Sequence, residues 1–193
     1  MRNEINSYNT KLLLANTLKE LLKHKPFAKV TVTEIIKLSE VNRNTFYYHF
    51  EDIYDLLLWF LNQEAINKVR DYDSFDDIDA AINFTLDYID ENRNFLKNII
   101  NSVGEHDLKR FLSKDFMEII ENFIRLAEKE LKVDIDEDYR NFLTTYITEA
   151  IAGILIELIY TKENISHEKI NYFIQVTTEN AIIASLKAYR EQH

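Results

Sequence analysis

Residues Thr31–Phe50, TVTEIIKLSEVNRNTFYYHF, decide the fold. Thr31 suits the cap of a helix opening at Val32, and Val32, Ile35 and Ile36 then fall on one side of it at helical spacing. Asn42 suits a second cap, opening a helix whose Phe46 and Phe50 stand one turn apart and face inward, with Val41 just ahead of them. Two short helices joined by a tight turn form the outline of a helix-turn-helix. The face left over on the second helix carries Arg43, Asn44, Tyr47 and Tyr48. Arginine and asparagine fork onto guanine and adenine edges in the major groove, while Tyr47, Tyr48 and His49 can donate to phosphate oxygens. One helix therefore offers a reading set and a positioning set. Thr31, Thr33, Asn42 and Thr45, around the two caps, complete the expected DNA-binding surface. Any one of these residues alone reads as an ordinary solvated side chain; the constellation points to double-stranded DNA.

Upstream, Leu14, Leu18, Leu21 and Leu22 make an apolar stripe on a helix over about Thr10 to His24, which Pro26 helps to end. Downstream, Leu56, Leu57, Phe60 and Leu61 mark a fourth helix over about Asp52 to Arg70. With these elements in place, the chain resembles the TetR family of bacterial transcriptional regulators across roughly Asn9 to Leu61. The resemblance rests on the ending Thr45-Phe46-Tyr47-Tyr48-His49-Phe50, followed by an acidic helix opening at Glu51 and Asp52. It implies a three-helix head that reads DNA and a helical body that dimerises and binds an effector. Two positions depart from the family pattern. Glu40 stands where glycine is usual in the turn, so a non-glycine residue must tolerate that geometry at some cost. Ile53 stands where a lysine is common, which removes the lysine–phosphate contact usual there.

Composition agrees with a small helical regulator. Two glycines and one proline in 193 residues leave long helices unbroken and argue against sandwiches, barrels and glycine-rich phosphate loops. Cysteine is absent, so there is no disulfide framework or thiolate chemistry, as suits a reducing cytoplasm. No apolar run is expected to reach membrane-spanning length, and MRNEINSYNT lacks the apolar core of a signal peptide, so the expected location is the cytosol. The net charge of −10 divides unevenly. Residues 1–50 hold eight basic and four acidic side chains, net +4; residues 51–193 hold 15 basic and 29 acidic, net −14. A basic head is attracted to phosphate while the acidic body is repelled, which orients the chain on DNA.

The expected fold is all-α with about nine helices: a helix-turn-helix DNA-binding domain over residues 1–51 and a helical effector-binding and dimerisation domain over residues 52–193. The acidic, turn-like Tyr72 to Asp77 is the clearest loop. Five segments follow, over about Asp76–Asn92, Arg93–Val103, His106–Leu131, Glu137–Lys162 and Glu168–Arg190. Phe84, Tyr88, Phe95, Phe116, Ile120 and Tyr146 are candidates to line a small-molecule effector pocket, with core packing as the competing reading. Ile147, Ile151, Ile154, Leu155 and Leu158 stripe one of the last two helices, and Phe173, Val176, Asn180 and Ile183 the other. Two such faces suggest a four-helix interface in a homodimer, and Gly153 within the first fits close backbone approach there. The alternative is a monomeric bundle.

A two-fold dimer would offer its recognition helices to successive major grooves and select a near-palindromic operator. The resemblance implies repression relieved by the effector. The competing class is a helical enzyme or ligand- or metal-binding protein with an incidental helix-turn-helix. Its signature would be paired Glu and His motifs, yet the five histidines are scattered, and Glu163 with His167 has no second motif beside it. No nucleophile triad or phosphate loop is legible, and no cofactor is expected.

Overall fold

The computed structural model describes residues 2–70, 78–161 and 165–192, with no strand among them. Nine α-helical segments follow in order among the described residues: α1 (Arg2–Leu22), α2 (Val32–Leu38), α3 (Arg43–His49), α4 (Ile53–Leu61), α5 (Asn67–Arg70), α6 (Ile78–Val103), α7 (Glu105–Leu131), α8 (Glu137–Tyr160) and α9 (His167–Gln192). A 3-10 turn, Phe27–Lys29, follows α1, and a π-helical turn, Asn62–Ile66, joins α4 to α5. The all-α class is as expected. The stretch Tyr72 to Asp77, read as a loop, and Glu163 lie outside the described residues. The chain forms two compact units, one of residues 1–67 with 94–104, the other of residues 68–93 with 105–193.

In the first unit, Leu14, Ala15 and Leu18 of α1, Ile35 of α2, Phe46 of α3 and Leu56 and Leu57 of α4 are fully buried together. The helix starts are fixed as the sequence suggests. Thr31 and Glu34 form a reciprocal capping box, Asn42 Oδ1 accepts from the Thr45 amide at 2.8 Å, and Asp52 accepts from the Tyr54 and Asp55 amides. At its far end α2 closes in a Schellman motif, with the Val41 amide donating to the Ile36 carbonyl at 3.1 Å and Glu40 at φ 54° between them. Glu40 thus occupies the left-handed region that glycine favours, which costs an L-residue about 1–2 kcal/mol. α1 starts well before the expected Thr10. Its polar first turns gain partners that propensity does not reveal: Tyr8 packs edge-on to Trp59 at 6.0 Å and donates to Gln63 at 3.4 Å.

The last turns of α6 complete this unit. Asn98 Oδ1 accepts from the Phe27 amide at 3.0 Å, while its NH2 group donates to the Leu22 carbonyl at 3.2 Å and the Lys25 carbonyl at 3.0 Å. One side chain therefore satisfies orphaned backbone groups at the end of α1 and at the 3-10 turn. Leu96, Ile99 and Ile100 are buried beside it, and Phe95 meets Phe60 edge-on at 5.7 Å. The expected break near Asn92 is present as a single non-helical residue within α6, φ −113° and ψ 15°, whose side chain donates to the Tyr88 carbonyl at 2.9 Å.

The second unit centres on the α7 and α8 pair. Arg140 donates in a fork to Glu128, Nε to Oε2 at 3.0 Å and Nη2 to Oε1 at 2.9 Å, and also to the Ile135 carbonyl at 3.0 Å. Burial alone would raise the Glu128 carboxyl, but its bonds from Arg140 and the Ile135 amide outweigh this and hold it below the usual range. At the far end of α8, Arg93 donates to the carbonyls of Leu158, Ile159 and Thr161 and pairs with Asp90. α8 is long and apolar enough to cross a membrane by composition, contrary to the sequence expectation; half of its most apolar window is buried inside the protein, as befits a core helix.

Asn98→Ala should lower stability by about 1–3 kcal/mol, because it leaves three backbone groups short of a partner. Urea unfolding at neutral pH measures this loss.

Candidate nucleic-acid interface

The two caps and the left-handed turn fix α3 so that Phe46 is fully buried and Arg43, Asn44, Tyr47 and Tyr48 are exposed, Tyr48 to 82%. The Arg43 guanidinium lies 5.6 Å from the centre of the Tyr47 ring, and that ring stands edge-on to Phe46 at 5.3 Å. The exposed guanidinium, the Tyr47 ring and the buried Phe46 are thus linked in series. Such a cation–π contact narrows the conformations of an arginine without using its hydrogen-bond donors.

The remaining expected DNA-binding residues divide by what already engages them. Thr31 and Asn42 are exposed, but their side-chain oxygens accept the capping bonds, and the Thr31 and Thr45 hydroxyls donate to Glu34 and Asn42 at 2.9 and 3.0 Å. These three shape the surface by holding the helix starts. Thr33 is exposed. His49 is half-buried, with Ser7 Oγ 3.5 Å from Nδ1 and the rings of Tyr48 and Phe50 on either side. Burial, aided by the charge of Lys11, holds its pKa below the ordinary 6.5. His49 is therefore a neutral imidazole at neutral pH. Which of Ser7 Oγ and Nδ1 donates in their 3.5 Å contact follows the imidazole tautomer, and a neutral ring keeps one donor in either case. Lys11 itself lies over the rings of Phe50 and Trp59 at 5.6 and 5.7 Å.

The body residues are distributed differently from the sequence expectation. Phe116 and Ile120 line an apolar cavity of about 90 Å3 in the second unit, together with residues of α5, α6, α8 and α9. Phe84, Tyr88, Phe95 and Tyr146 do not line it. Phe84 and Tyr88 stack on each other at 6.3 Å with Lys68 over Phe84, Phe95 packs in the first unit, and Tyr146 points outward at 62% exposure. Helical periodicity identifies an apolar face but not which side of it meets a void.

The residues expected at the interface divide by burial, although Ile147, Ile151, Ile154, Leu158 and Phe173 all line one groove between α8 and α9. Ile147, Leu155 and Leu158 are buried within the chain, and Ile151, Val176 and Ile183 are half-buried, whereas Ile154, Phe173 and Asn180 are exposed. The uncovered apolar face of α8 is Phe142, Tyr146, Ala150 and Ile154, successive residues four apart. Phe142 at 65% exposure stacks on Tyr146 at 6.3 Å. A groove of about 340 Å3 runs beside it, walled by Ile154 and Ala150 on α8 and by Phe173, Thr177 and Ala181 on α9. A Cβ added to Gly153 would meet nothing within 4 Å, so no neighbour within the chain requires that glycine.

Three comparisons bear on this arrangement. The family profile described as "Bacterial regulatory proteins, tetR family" matches residues 15–58, and the one described as "Transcriptional regulator C-terminal region" matches residues 76–180. Among curated proteins, the HTH-type dhaKLM operon transcriptional activator DhaS of Lactococcus lactis subsp. lactis (strain IL1403) is 22% identical over 180 residues, covering 93% of this chain and 92% of that protein. Among solved structures, a dihydroxyacetone kinase operon activator DhaS aligns with a TM-score of 0.62 at 23% identity, covering 93% of this chain and 97% of its own. A TetR transcriptional regulator from Streptococcus agalactiae 2603V aligns with a TM-score of 0.55 at 21% identity, covering 92% and 98%. At these identities the two structures speak for the fold.

The His49 environment carries a pH dependence. Its folded-state pKa lies below 6.5, so the unfolded chain takes up the proton first. Stability present above pH 6.5 is then lost as pH falls from that value through the folded-state pKa. Urea midpoints across the range should show this fall, His49→Gln should flatten it, and an NMR titration of His49 should have its midpoint below 6.5.

Proposed function

Since this chain belongs to the TetR family of bacterial transcriptional regulators, we propose that it is a homodimeric, sequence-specific DNA-binding regulator of a near-palindromic operator, controlled by a small-molecule effector. The observation that carries the reading is the exposed face of α3, with Arg43 lodged on Tyr47 above a buried Phe46. On this reading residues 1–51 hold the DNA-contacting surface and residues 52–193 the effector and dimer functions, in the cytoplasm where the operator is. Arg43 and Asn44 read base edges, while Tyr47, Tyr48 and His49 meet phosphate.

Dimerisation supplies the second recognition helix, placed about one helical turn of DNA or a little more from the first. The face we assign to it is Phe142, Tyr146, Ala150 and Ile154 with Phe173, where apolar side chains lie uncovered and Gly153 leaves room for a partner backbone. An effector that favours one spacing of the two heads changes operator affinity by its differential affinity for the two states. Repression is the simplest consequence of a dimer occupying an operator. Activation is the second reading, favoured by the curated relative named as an activator. A reporter downstream of the operator, with and without the gene for this protein, separates the two.

Selection from random duplex DNA, followed by affinity across a salt series, tests the reading as a whole. A palindrome should be enriched, with affinity falling steeply as salt rises; absence of enrichment refutes sequence-specific binding. Arg43→Ala should cost about 1–3 kcal/mol on the selected site and relax preference at one position per half-site, whereas Tyr47→Phe should weaken all sequences alike. Equal losses for Arg43→Ala on specific and random DNA would reduce Arg43 to a phosphate contact. Phe142→Glu combined with Tyr146→Glu should give a monomer by analytical ultracentrifugation that no longer selects the palindrome.

A further inference from the structure

We propose that the 90 Å3 cavity of the second unit is the effector site and that it takes a small, uncharged, largely apolar molecule. The inference rests on the regulator reading above for its consequence, but not for the binding itself. Among the described residues that line the cavity, all but three are aliphatic or phenylalanine, and none is lysine, arginine or histidine. The exceptions are Thr85, Thr178 and Glu179. Glu179 is exposed, so the cavity meets the surface along α9 and its one carboxylate stands at the mouth, in water.

The hydrogen bonds on offer are few. Thr85 already donates its hydroxyl proton to the Ala81 carbonyl at 2.8 Å, which leaves it only acceptor capacity. Thr178, half-buried, is the other hydroxyl. A polyol would leave most of its groups unpaired here, and an inward-facing ion would have no counter-charge. A molecule with one polar end can keep that end at Thr178 and bury the rest. The side chains of Ile182, Leu155, Phe116 and Phe123 are buried, so the walls are held by packing. Walls of this composition offer water almost no hydrogen bonds, so an apolar ligand displaces only weakly held solvent on entering.

Size sets the second limit. An apolar cavity of about 150 Å3 accepts benzene, so 90 Å3 has room for a molecule of roughly four carbon atoms. Both limits are measurable with one ruler, the straight-chain primary alcohols from propanol to octanol, titrated calorimetrically into the full-length protein. Affinity should rise about fourfold per added methylene and then stop rising once the cavity is full, at about four carbons. Partition onto the exposed α8 face would instead go on rising to octanol, and that result overturns the proposal. Glycerol should not bind; glycerol binding more tightly than butanol also overturns it, as does preference for butylamine, which would place the ligand at Glu179.

Two variants move the limit in opposite directions. Ala81→Leu should abolish binding, and Ile120→Ala should shift the cutoff to a longer alcohol. If Ala81→Leu does not fold, the Ile120→Ala shift still decides, and an unmoved cutoff refutes this cavity as the site. On the selected operator, the best-bound alcohol should change affinity about fivefold or more. Binding with a sharp cutoff but unchanged operator affinity refutes the effector role. Failure to select any operator, with the cutoff intact, refutes the regulator reading instead.

Discussion

The amide of Asn98 is the contact on which the DNA-binding unit depends. It reaches from the last turns of α6 to the Leu22 and Lys25 carbonyls and the Phe27 amide, the point where α1 ends and the chain turns toward α2. Helix ends leave backbone groups that must find partners, and here one side chain serves three of them at once. α2 begins only a few residues later, at a Thr31 cap that sets its axis, and α3 follows α2 through a turn without spare residues. An error at the end of α1 is therefore transmitted to the recognition surface.

The surface itself shows how few residues are left for reading once the fold is satisfied. Of the polar groups in Thr31–Phe50, the hydroxyl of Thr31, the carbonyl oxygen of Asn42 and the hydroxyl of Thr45 hold helix starts. Glu40 accepts a left-handed backbone, and the Schellman bond from Val41 and the burial of Phe46 hold it there. What remains is a compact set around Arg43 and Tyr47. The sign of charge matters as much as the geometry, since residues 1–50 carry net +4 against net −14 for residues 51–193, so the part of the sequence that holds this set is the part attracted to a polyanion.

Much of this was legible in the amino-acid order because it is local. Caps, apolar spacing and the scarcity of breakers placed the starts of α2, α3 and α4 and the break near Asn92 within a residue or two, though not the π-helical turn that ends α4 at Leu61, and the odd residue in the turn pointed to its unusual backbone. What was not legible is tertiary. The early start of α1 depends on Trp59 and Gln63, the role of Asn98 depends on a turn some 70 positions away in the chain, and neither leaves a periodic trace. The α8 stripe divides between core and surface for a related reason. Ile147, Leu155 and Leu158 are the more hydrophobic residues and face the protein's own core, while the uncovered face holds aromatics and an alanine that a periodicity count ranks lower. For the cavity, Phe116 and Ile120 were identifiable as apolar and inward-facing, but a void is a property of how five helices fail to fill space.

The contribution of residues 94–104 to the first unit has a consequence for biosynthesis. Domains are often able to fold as soon as the ribosome has released them, in order from the amino terminus. Here the segment that closes the amino-terminal unit is encoded some thirty residues after the rest of it, on the far side of α5 and the first half of α6. Until that segment emerges, the nascent chain carries an unfinished, basic, aromatic-rich surface with its backbone groups at Leu22, Lys25 and Phe27 turned to water. The order of synthesis thus delays a finished DNA-binding surface until much of the linking helix has been made.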